Sequence, residues 1–219
     1  MKKYILPLFI FCLSCEIGSS KPIDNLEPVF IVDNQDYQNL SKAYFASGCF
    51  WCVETIYESL DGVVEVFSGY AGGETINPNY YQVMSGKTGH AEAIEVIYDN
   101  NVISFDTLLK VFFDSHDPTT PNRQGPDFGT QYRSIAFYTN TNEKNKITNY
   151  INLLSTNSIF GKNIITQVKE LNKFYYAEEY HQDYEKKNPF SSYIQNVSIP
   201  RFNNFKQKVS KYLKINDVH

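Results

Sequence analysis

Cysteine and methionine are scarce in this sequence, and neither sign of charge dominates it. The 219 residues include 4 Cys and 2 Met, and 20 Lys and Arg stand against 24 Asp and Glu, a formal net charge of -4. Because there is no excess of basic residues to attract a phosphate backbone, we expect no nucleic-acid partner. Hydrophobic residues make up 42% and aromatic residues 16%, which suffices for one globular domain.

The amino-terminal residues are typical of an export signal. Lys2 and Lys3 precede an apolar run, 4–13, that is too short to remain in a bilayer as a spanning helix. Leu13-Ser14-Cys15 resembles the lipobox at which bacterial lipoproteins are cleaved and acylated. We therefore predict a signal peptide at 1–14 and a lipid anchor on Cys15. Simple secretion and an uncleaved anchor remain the alternatives.

Residues 15–40 show no sustained period and contain Gly, Ser, Pro, Asn and Asp, so they predict a flexible tether. The folded domain is predicted at 41–219. The protein is then expected outside the cytoplasm, as a membrane-anchored lipoprotein of the periplasm or the cell surface.

Only Cys49 and Cys52 remain in the predicted domain, because the other two cysteines lie in the targeting segment. Two cysteines cannot build a multi-bridge scaffold. A bridge between residues three apart would close a very short loop and would restrain little chain entropy. The pair therefore indicates redox chemistry rather than stabilisation.

Hydrophobic periodicity predicts strands and helices in irregular order, which favours an α+β fold over a doubly wound sheet. Loops at 69–89 and 116–129 are long enough to indicate a functional site. Aromatic polar segments follow at 175–184 and 202–213. Strands are predicted at 43–47, 63–67, 90–98, 132–138 and 164–168, and helices at 49–60, 104–115 and 142–154.

The segment Gly48-Cys49-Phe50-Trp51-Cys52 carries the strongest chemical signal. Cys49 is predicted where a strand turns into a helix, so the free backbone N–H groups and the helix dipole would favour its thiolate. Cys52 lies one helical turn later on the same face and is within reach for a disulfide. The alternative is that both cysteines are small buried hydrophobes.

Five blocks in this order resemble the A-type peptide methionine sulfoxide reductases. They are Gly-Cys-Phe-Trp at 48–51, Gly-Tyr-Ala-Gly-Gly at 69–73 with Asn-Pro-Asn-Tyr at 77–80, Gly-His-Ala-Glu-Ala at 89–93, Gly-Pro-Asp-Phe-Gly-Thr-Gln-Tyr-Arg-Ser at 125–134, and Glu-Glu-Tyr-His-Gln-Asp-Tyr at 178–184. The resemblance implies a two-layer sandwich whose central mixed sheet, with a ferredoxin-like core, is flanked by helices and long loops. It also implies reduction of the S epimer of methionine sulfoxide in oxidised proteins or peptides.

The resemblance further implies a role for each site residue. By this comparison, Cys49 attacks the sulfoxide sulfur and Glu92 supplies a proton to the oxygen. Tyr80 and Tyr132 hydrogen-bond that oxygen, and Phe50 and Trp51 hold the methyl group. Asp127 binds the substrate amide or else caps a turn. By strand alternation alone, Glu92 shares a face with Ile94 and Val96, which would raise its pKa, whereas Glu95 is expected to face solvent.

The sequence departs from many members of that family, which carry a further cysteine in a carboxyl-terminal tail. No cysteine follows Cys52. Either Cys52 resolves the sulfenic acid formed on Cys49, which is our hypothesis, or an external thiol reduces it directly. No bound cofactor is expected, and a thioredoxin-like dithiol is the expected electron donor. The histidines at 90, 116 and 181 lack zinc-site spacing, so no metal is expected.

Two other functions fit parts of the pattern. A thiol–disulfide oxidoreductase would use the Cys-x-x-Cys motif alone, although the usual motif places Trp before the first Cys. A non-catalytic surface lipoprotein would bind a partner through its aromatic loops and would not need Cys49.

Overall fold

The computed structural model describes Val32 and residues 37–214. The predicted signal peptide, Cys15 and nearly all of the predicted tether lie outside these residues, so they stay predictions. Within the described residues, no helix has both the length and the apolar character that crossing a bilayer requires.

Strands and helices alternate irregularly through the described residues. The strands are β1 (Ser41–Ser47), β2 (Val63–Ala71), β3 (Ala91–Tyr98), β4 (Arg123–Gln124), β5 (Asp127–Phe128), β6 (Ser134–Tyr138), β7 (Gln167–Glu170) and β8 (Phe174–Tyr176). The helices are α1 (Phe50–Glu58), α2 (Tyr80–Met84), α3 (Phe105–Asp114), α4 (Thr141–Thr156), α5 (Tyr184–Lys187) and α6 (Ile199–Val209), and a π-helical turn (Ile194–Ser198) leads into α6.

Six strands form one mixed sheet in the order β7-β6-β1-β3-β2-β8. Neighbouring strands are antiparallel except β6 and β7, which are parallel. β4 and β5 pair as a separate two-stranded sheet. The predicted α+β fold with a central mixed sheet is therefore confirmed.

The main core lies between one face of this sheet and the helices α1, α3 and α6. Phe45 of β1 stacks on Phe112 of α3 with ring centroids 5.2 Å apart. Ile56 of α1 and Phe205 of α6 belong to the same buried cluster. Burying each such side chain contributes about 1.5–3 kcal/mol, so this face fixes α1 firmly over the sheet.

The predicted loop at 69–89 contains regular structure at both ends. β2 continues to Ala71 because β8 pairs with its last residues. Gly69 permits this pairing, since a Cβ there would lie 2.3 Å from the Phe174 ring. α2 follows Asn79, whose side chain accepts the Gln82 N–H while the Gln82 side chain accepts the Asn79 N–H, a reciprocal cap.

The fifth predicted strand begins later than expected. Ile165 donates its N–H to the carbonyl of Pro118 instead of to the sheet. Pairing with β6 starts only at Gln167. The apolar residues at the start of the predicted strand therefore lie in a loop that contacts another loop. Hydrophobic periodicity does not distinguish such a loop segment from a strand.

The expectation that Glu95 faces solvent is wrong. Its side chain is 3% exposed and accepts hydrogen bonds from Tyr44 Oη at 2.6 Å, Tyr176 Oη at 2.8 Å and Lys42 Nζ at 3.2 Å. β8 supplies Tyr176 and helps to cover this second face of the sheet. Alternation along β3 separates the two faces but does not reveal what covers each of them.

Candidate active site

A sharp turn after β1 places Cys49 at the amino terminus of α1. Gly48 adopts φ +94°, and a Cβ at this position would lie 2.6 Å from the Cβ of Gln124, so glycine is needed for both reasons. Cys49 is the N-cap residue of α1, and its side chain makes no capping hydrogen bond. The sulfur therefore stands at the start of the helix, with the residue 6% exposed.

Glu92 takes the capping role that the Cys49 side chain leaves open. Its Oε2 accepts the backbone N–H of Phe50 at 3.0 Å. The residue is 2% exposed and lies on the sheet face of Ile94 and Val96, as alternation along the strand predicts. Burial raises the pKa of Glu92 to about 8, although the Phe50 N–H opposes the shift. The carboxyl group therefore holds a proton at neutral pH.

The thiolate expected at Cys49 is not favoured in the resting structure. Burial raises the pKa of Cys49 well above its usual value, with further contributions from Cys52 and Glu92. The pKa of Cys52 is lowered to about 7, first by a hydrogen bond from Cys49 and then by the charge of Arg201. The start of a helix alone does not offset the burial of the thiol, so Cys49 keeps its proton in the resting structure.

Tyr80 and Tyr132 approach the same two groups from the loops. Burial raises the pKa of Tyr80 to about 12, and the nearby Glu92 and Cys49 add to the shift. Burial likewise raises the pKa of Tyr132, again with contributions from Glu92 and Cys49. Both hydroxyl groups therefore stay protonated, and in this structure the Tyr132 hydroxyl donates to Met84 Sδ at 3.6 Å. The Tyr80 backbone is held by Glu178, which accepts its N–H at 2.9 Å.

Aromatic rings form the wall beside Cys49. Phe50 is 1% exposed, and its ring lies 6.0 Å from Trp51 and 5.0 Å from His181. The partly exposed Trp51 stacks on Tyr184 at 3.7 Å with the planes 8° apart. The Trp51 Nε1–H donates to His181 Nδ1 at 3.1 Å, and this hydrogen bond restrains the orientation of the indole ring.

Asp127 lies half-buried on β5 and binds a tyrosine that sequence reasoning did not select. Its Oδ2 accepts the hydroxyl of Tyr193 at 2.6 Å. The Tyr193 oxygen also lies 4.0 Å from Cys52 Sγ. Asp127 is thus tied to the cysteine pair through Tyr193, and within the described part of the chain no backbone N–H donates to its carboxylate.

Four residues near the site carry no role in the sequence prediction. His181 and Tyr184 lie in the last block that resembles the reductase family, so their signal was present but unassigned. Tyr193 and Arg201 lie beyond that block, and no local pattern separates Tyr193 from the other 16 tyrosines. Their importance arises from the packing of the carboxyl-terminal segment on α1.

The three histidines have separate partners, although Nε2 of His181 is buried without a hydrogen bond. His90 accepts from Gly73 N and contacts Thr75 O, His116 contacts Phe112 O and Ser134 Oγ, and His181 accepts from Trp51. Among the described residues, the potential cation ligands that cluster are Glu54, Glu58 and Asp183. Lys186 bridges Glu58 and Asp183, so this cluster already has its counter-charge.

Comparison with known proteins points to one family. The family described as "Peptide methionine sulfoxide reductase" matches residues 41–213. A protein of Nautilia profundicola named peptide methionine sulfoxide reductase MsrA is 49% identical over 176 residues, which is 80% of this chain and 96% of that protein. A protein of the same name from Trichodesmium erythraeum is 47% identical over 79% of this chain and 96% of its own length.

Solved structures give the same result. The reduced form of Mxr1 from Saccharomyces cerevisiae superposes with a TM-score of 0.66 at 37% identity, covering 70% of this chain and 88% of that one. Methionine sulfoxide reductase A of Corynebacterium diphtheriae superposes with a TM-score of 0.63 at 34% identity, covering 70% of this chain and 77% of that one.

Proposed function

This chain belongs to the peptide methionine sulfoxide reductase family, and we propose that it reduces the S epimer of methionine sulfoxide in oxidised proteins and peptides through Cys49. The observation that carries the proposal is a buried Glu92, with its pKa raised to about 8, that accepts the N–H of Phe50, the residue next to Cys49 at the start of α1. A sulfoxide oxygen is a poor leaving group until it receives a proton, and Glu92 holds one at neutral pH.

The first step transfers one oxygen atom. Glu92 donates its proton to the sulfoxide oxygen and receives the proton of the Cys49 thiol, while the Cys49 sulfur attacks the substrate sulfur and bonds to it. This S–S bond then breaks as the hydroxyl moves from the substrate sulfur to the Cys49 sulfur. The substrate S–O bond breaks and a Cys49 S–O bond forms. The products are a sulfide and a Cys49 sulfenic acid, so the sulfoxide gains the two electrons that the thiol loses. Glu92 ends the step protonated again.

The surrounding side chains orient the sulfoxide. Tyr80 and Tyr132 keep their hydroxyl protons and are proposed to donate to the oxygen as it gains negative charge. Phe50 and Trp51 are proposed to hold the methyl group, and Asp127 the amide of the substrate. With oxygen and methyl each assigned to a side of the site, one sulfoxide epimer fits, and the resemblance identifies it as S.

The second step forms a disulfide. Cys52 attacks the sulfur of the Cys49 sulfenic acid, an S–S bond forms, and the hydroxyl leaves as water with the Cys52 proton. A thioredoxin-like dithiol then reduces the Cys49–Cys52 bond and becomes a disulfide itself. Two thiols supply both electrons in each turnover, so the reaction needs no bound cofactor.

Two finer predictions on fold and location belong to the same proposal. β1, α1, β2, β3, α3 and β6 follow the strand order and directions of a ferredoxin-like β-α-β-β-α-β core, with α1 and α3 forming a second layer. The amino-terminal pattern supports export and a lipid anchor on Cys15, which would place the domain on a membrane of the periplasm or the cell surface.

Dithiothreitol-driven reduction of the two separated sulfoxide epimers tests this function. Wild type and Cys52→Ser should reduce the S epimer, Cys49→Ser should not, and none of the three should reduce the R epimer. Insulin reduction without sulfoxide reduction would instead select a thiol–disulfide oxidoreductase. Unchanged sulfoxide reduction in Cys49→Ser would refute the proposal.

A further inference from the structure

The carboxyl-terminal segment, residues 193–209, places polar side chains around Cys52. The π-helical turn and α6 pack on α1, and Tyr193, Ser198 and Arg201 face Cys52 from this segment. Ser198 is 1% exposed, so this contact lies inside the protein. The segment contains no cysteine of its own, yet it forms the environment of the thiol that is proposed to resolve the sulfenic acid.

Arg201 is held rigidly beneath the turn that carries Cys49. Its Nε donates to the carbonyl of Ser115 at 3.0 Å, and its Nη2 donates to the carbonyl of Ser47 at 3.0 Å. Nη1 lies 3.5 Å from the position that a Cβ on Gly48 would take. The guanidinium therefore joins the end of β1, the end of α3 and α6 next to the cysteine pair.

The two hydroxyl groups of this segment have other acceptors for their hydrogens. Tyr193 Oη donates to Asp127 at 2.6 Å, and Ser198 Oγ donates to Glu185 at 2.6 Å. Each hydroxyl has a single hydrogen to donate. Arg201 instead carries a permanent positive charge, because a guanidinium does not lose its proton in a protein. Of these three groups, Arg201 is thus the one that favours a Cys52 thiolate through a permanent charge rather than through a single shared hydrogen.

The charge of Arg201 becomes important to Cys52 after oxygen transfer, because Cys49 then no longer has a thiol hydrogen to donate. In the resting protein, the Cys49 thiol is the largest contributor to the lowered pKa of Cys52. After oxygen transfer, Cys49 is a sulfenic acid and its S–H is gone. The charged or titratable groups that then face Cys52 are Glu92 from β3 and Tyr193 and Arg201 from the carboxyl-terminal segment.

We propose that Arg201 is a positioning residue for the resolving step, and that its fixed charge keeps Cys52 as the thiolate that attacks the Cys49 sulfenic acid. The inference rests on the proposed function and assigns a task to α6 within it. The overall balance is that of the second step above: Cys52 releases its proton before it attacks, the departing hydroxide takes up one proton to leave as water, and Arg201 neither gains nor loses a proton.

The test follows one turnover of Arg201→Gln against wild type. One equivalent of the S epimer is mixed with reduced protein, and the methionine formed and the Cys49–Cys52 disulfide are quantified over time between pH 5.5 and 9. The rate of disulfide formation should rise with pH as Cys52 ionises, and loss of the charge should raise the midpoint pH of this rise by about one unit. Because a more basic thiolate is also a better nucleophile, disulfide formation at pH 6 should slow roughly threefold.

Two further variants separate charge from structure. Arg201→Lys keeps the charge, so its pH midpoint should stay near that of wild type. Lys208→Gln removes an exposed charge from the same helix, where Lys208 donates to Asp114 O, and should match wild type. If Arg201→Gln does not fold, a midpoint displaced by a full unit in Arg201→Lys overturns the inference.

The outcomes distinguish this inference from the function on which it rests. An unmoved midpoint in folded Arg201→Gln, with one equivalent of methionine still formed, overturns the role of Arg201 alone. Equal displacement in the Gln and Lys variants assigns Arg201 a purely structural role and also overturns it. Absence of methionine formation in wild type would instead refute the proposed function.

Discussion

Glu92 combines a structural contact and an unusual protonation state in one side chain. It lies on the apolar face of β3, reaches the first N–H of α1 and keeps its proton to a pKa of about 8. One carboxyl group thereby caps α1 and is proposed to serve as the acid in oxygen transfer. The proton is present below the pKa and is lost as the pH rises through it.

Glu92→Gln should slow oxygen transfer roughly 100-fold, because positioned general acids contribute at least that much and an amide has no proton to give. The amide oxygen can still accept the Phe50 N–H, so the fold should persist. Single-turnover reactions, quenched at set times, should show a wild-type rate of methionine formation that falls above about pH 8. The rate of the variant should not show that fall.

A variant rate within a few-fold of wild type, or an unchanged fall above pH 8 in the variant, would remove Glu92 from the proton transfer. Far-ultraviolet circular dichroism of both proteins controls for folding.

The sequence predicts individual site residues unevenly. Cys49 and the apolar setting of Glu92 follow from local pattern, whereas Tyr80 and Tyr132 were selected by resemblance only. The pKa of Cys49 was misjudged because burial comes from α6 and the loops, which no local pattern of α1 contains. Tyr193 and Arg201 were missed for the same reason.

At the scale of elements, α1 is tied to the rest of the molecule by a second buried carboxyl group. Glu54 is 2% exposed, accepts the Ser68 hydroxyl of β2 at 2.9 Å and accepts the backbone N–H of Asp183 at 2.8 Å. Burial raises its pKa to about 8. These contacts give Glu54 a structural role, and its raised pKa makes stability depend on pH.

Between the unfolded and folded pKa values, the folded protein holds a proton on Glu54 that the unfolded chain has released. The free energy of unfolding therefore falls as the pH rises from about 5 to 8, and this contribution is fully present below the unfolded pKa. Glu54→Gln should reduce that slope by about 1 kcal/mol per pH unit, measured by urea unfolding at pH 6.5, 7.2 and 8.

The exposed Glu74 offers a matched control, and Glu74→Gln should leave the slope unchanged. Parallel stability curves for wild type and Glu54→Gln would show that Glu54 is ionised in the folded protein and would contradict the prediction.

The central strands and the helices α1, α3 and α4 follow apolar patterns of five or more residues, and all are present. The helix α6 is a long element that the sequence does not predict, because 202–213 shows only as an aromatic polar segment. The short elements are not predicted either. β8 has three residues and exists because it pairs with the end of β2, and α2 depends on a reciprocal cap whose signal, Asn79 with Gln82, is only two residues. Such elements take their stability from tertiary contacts rather than from their own composition.

At the scale of the whole molecule, the amino-terminal pattern predicts a tethered enzyme. Cys15→Ser in the full chain, expressed in a bacterium that processes lipoproteins, should move the protein from the detergent phase to the aqueous phase in a phase-partition assay. The reason is that a single residue carries the acyl chains in this prediction, and membrane affinity scales with the buried methylene groups.

Cys12→Ser is the control, because it alters the same segment without removing the acylated residue. Wild type in the aqueous phase, or Cys15→Ser still in the detergent phase, would favour simple secretion or an uncleaved anchor.

The account depends most on the oxygen atom passing to Cys49 and on Cys52 then displacing it. Mass mapping of wild type and Cys52→Ser after one equivalent of the S epimer measures this directly. We expect a Cys49–Cys52 disulfide in wild type and a dimedone-trapped sulfenic acid on Cys49 in Cys52→Ser. Methionine formation with an unbridged cysteine pair in wild type, or without a trapped adduct on Cys49 in the variant, would contradict it.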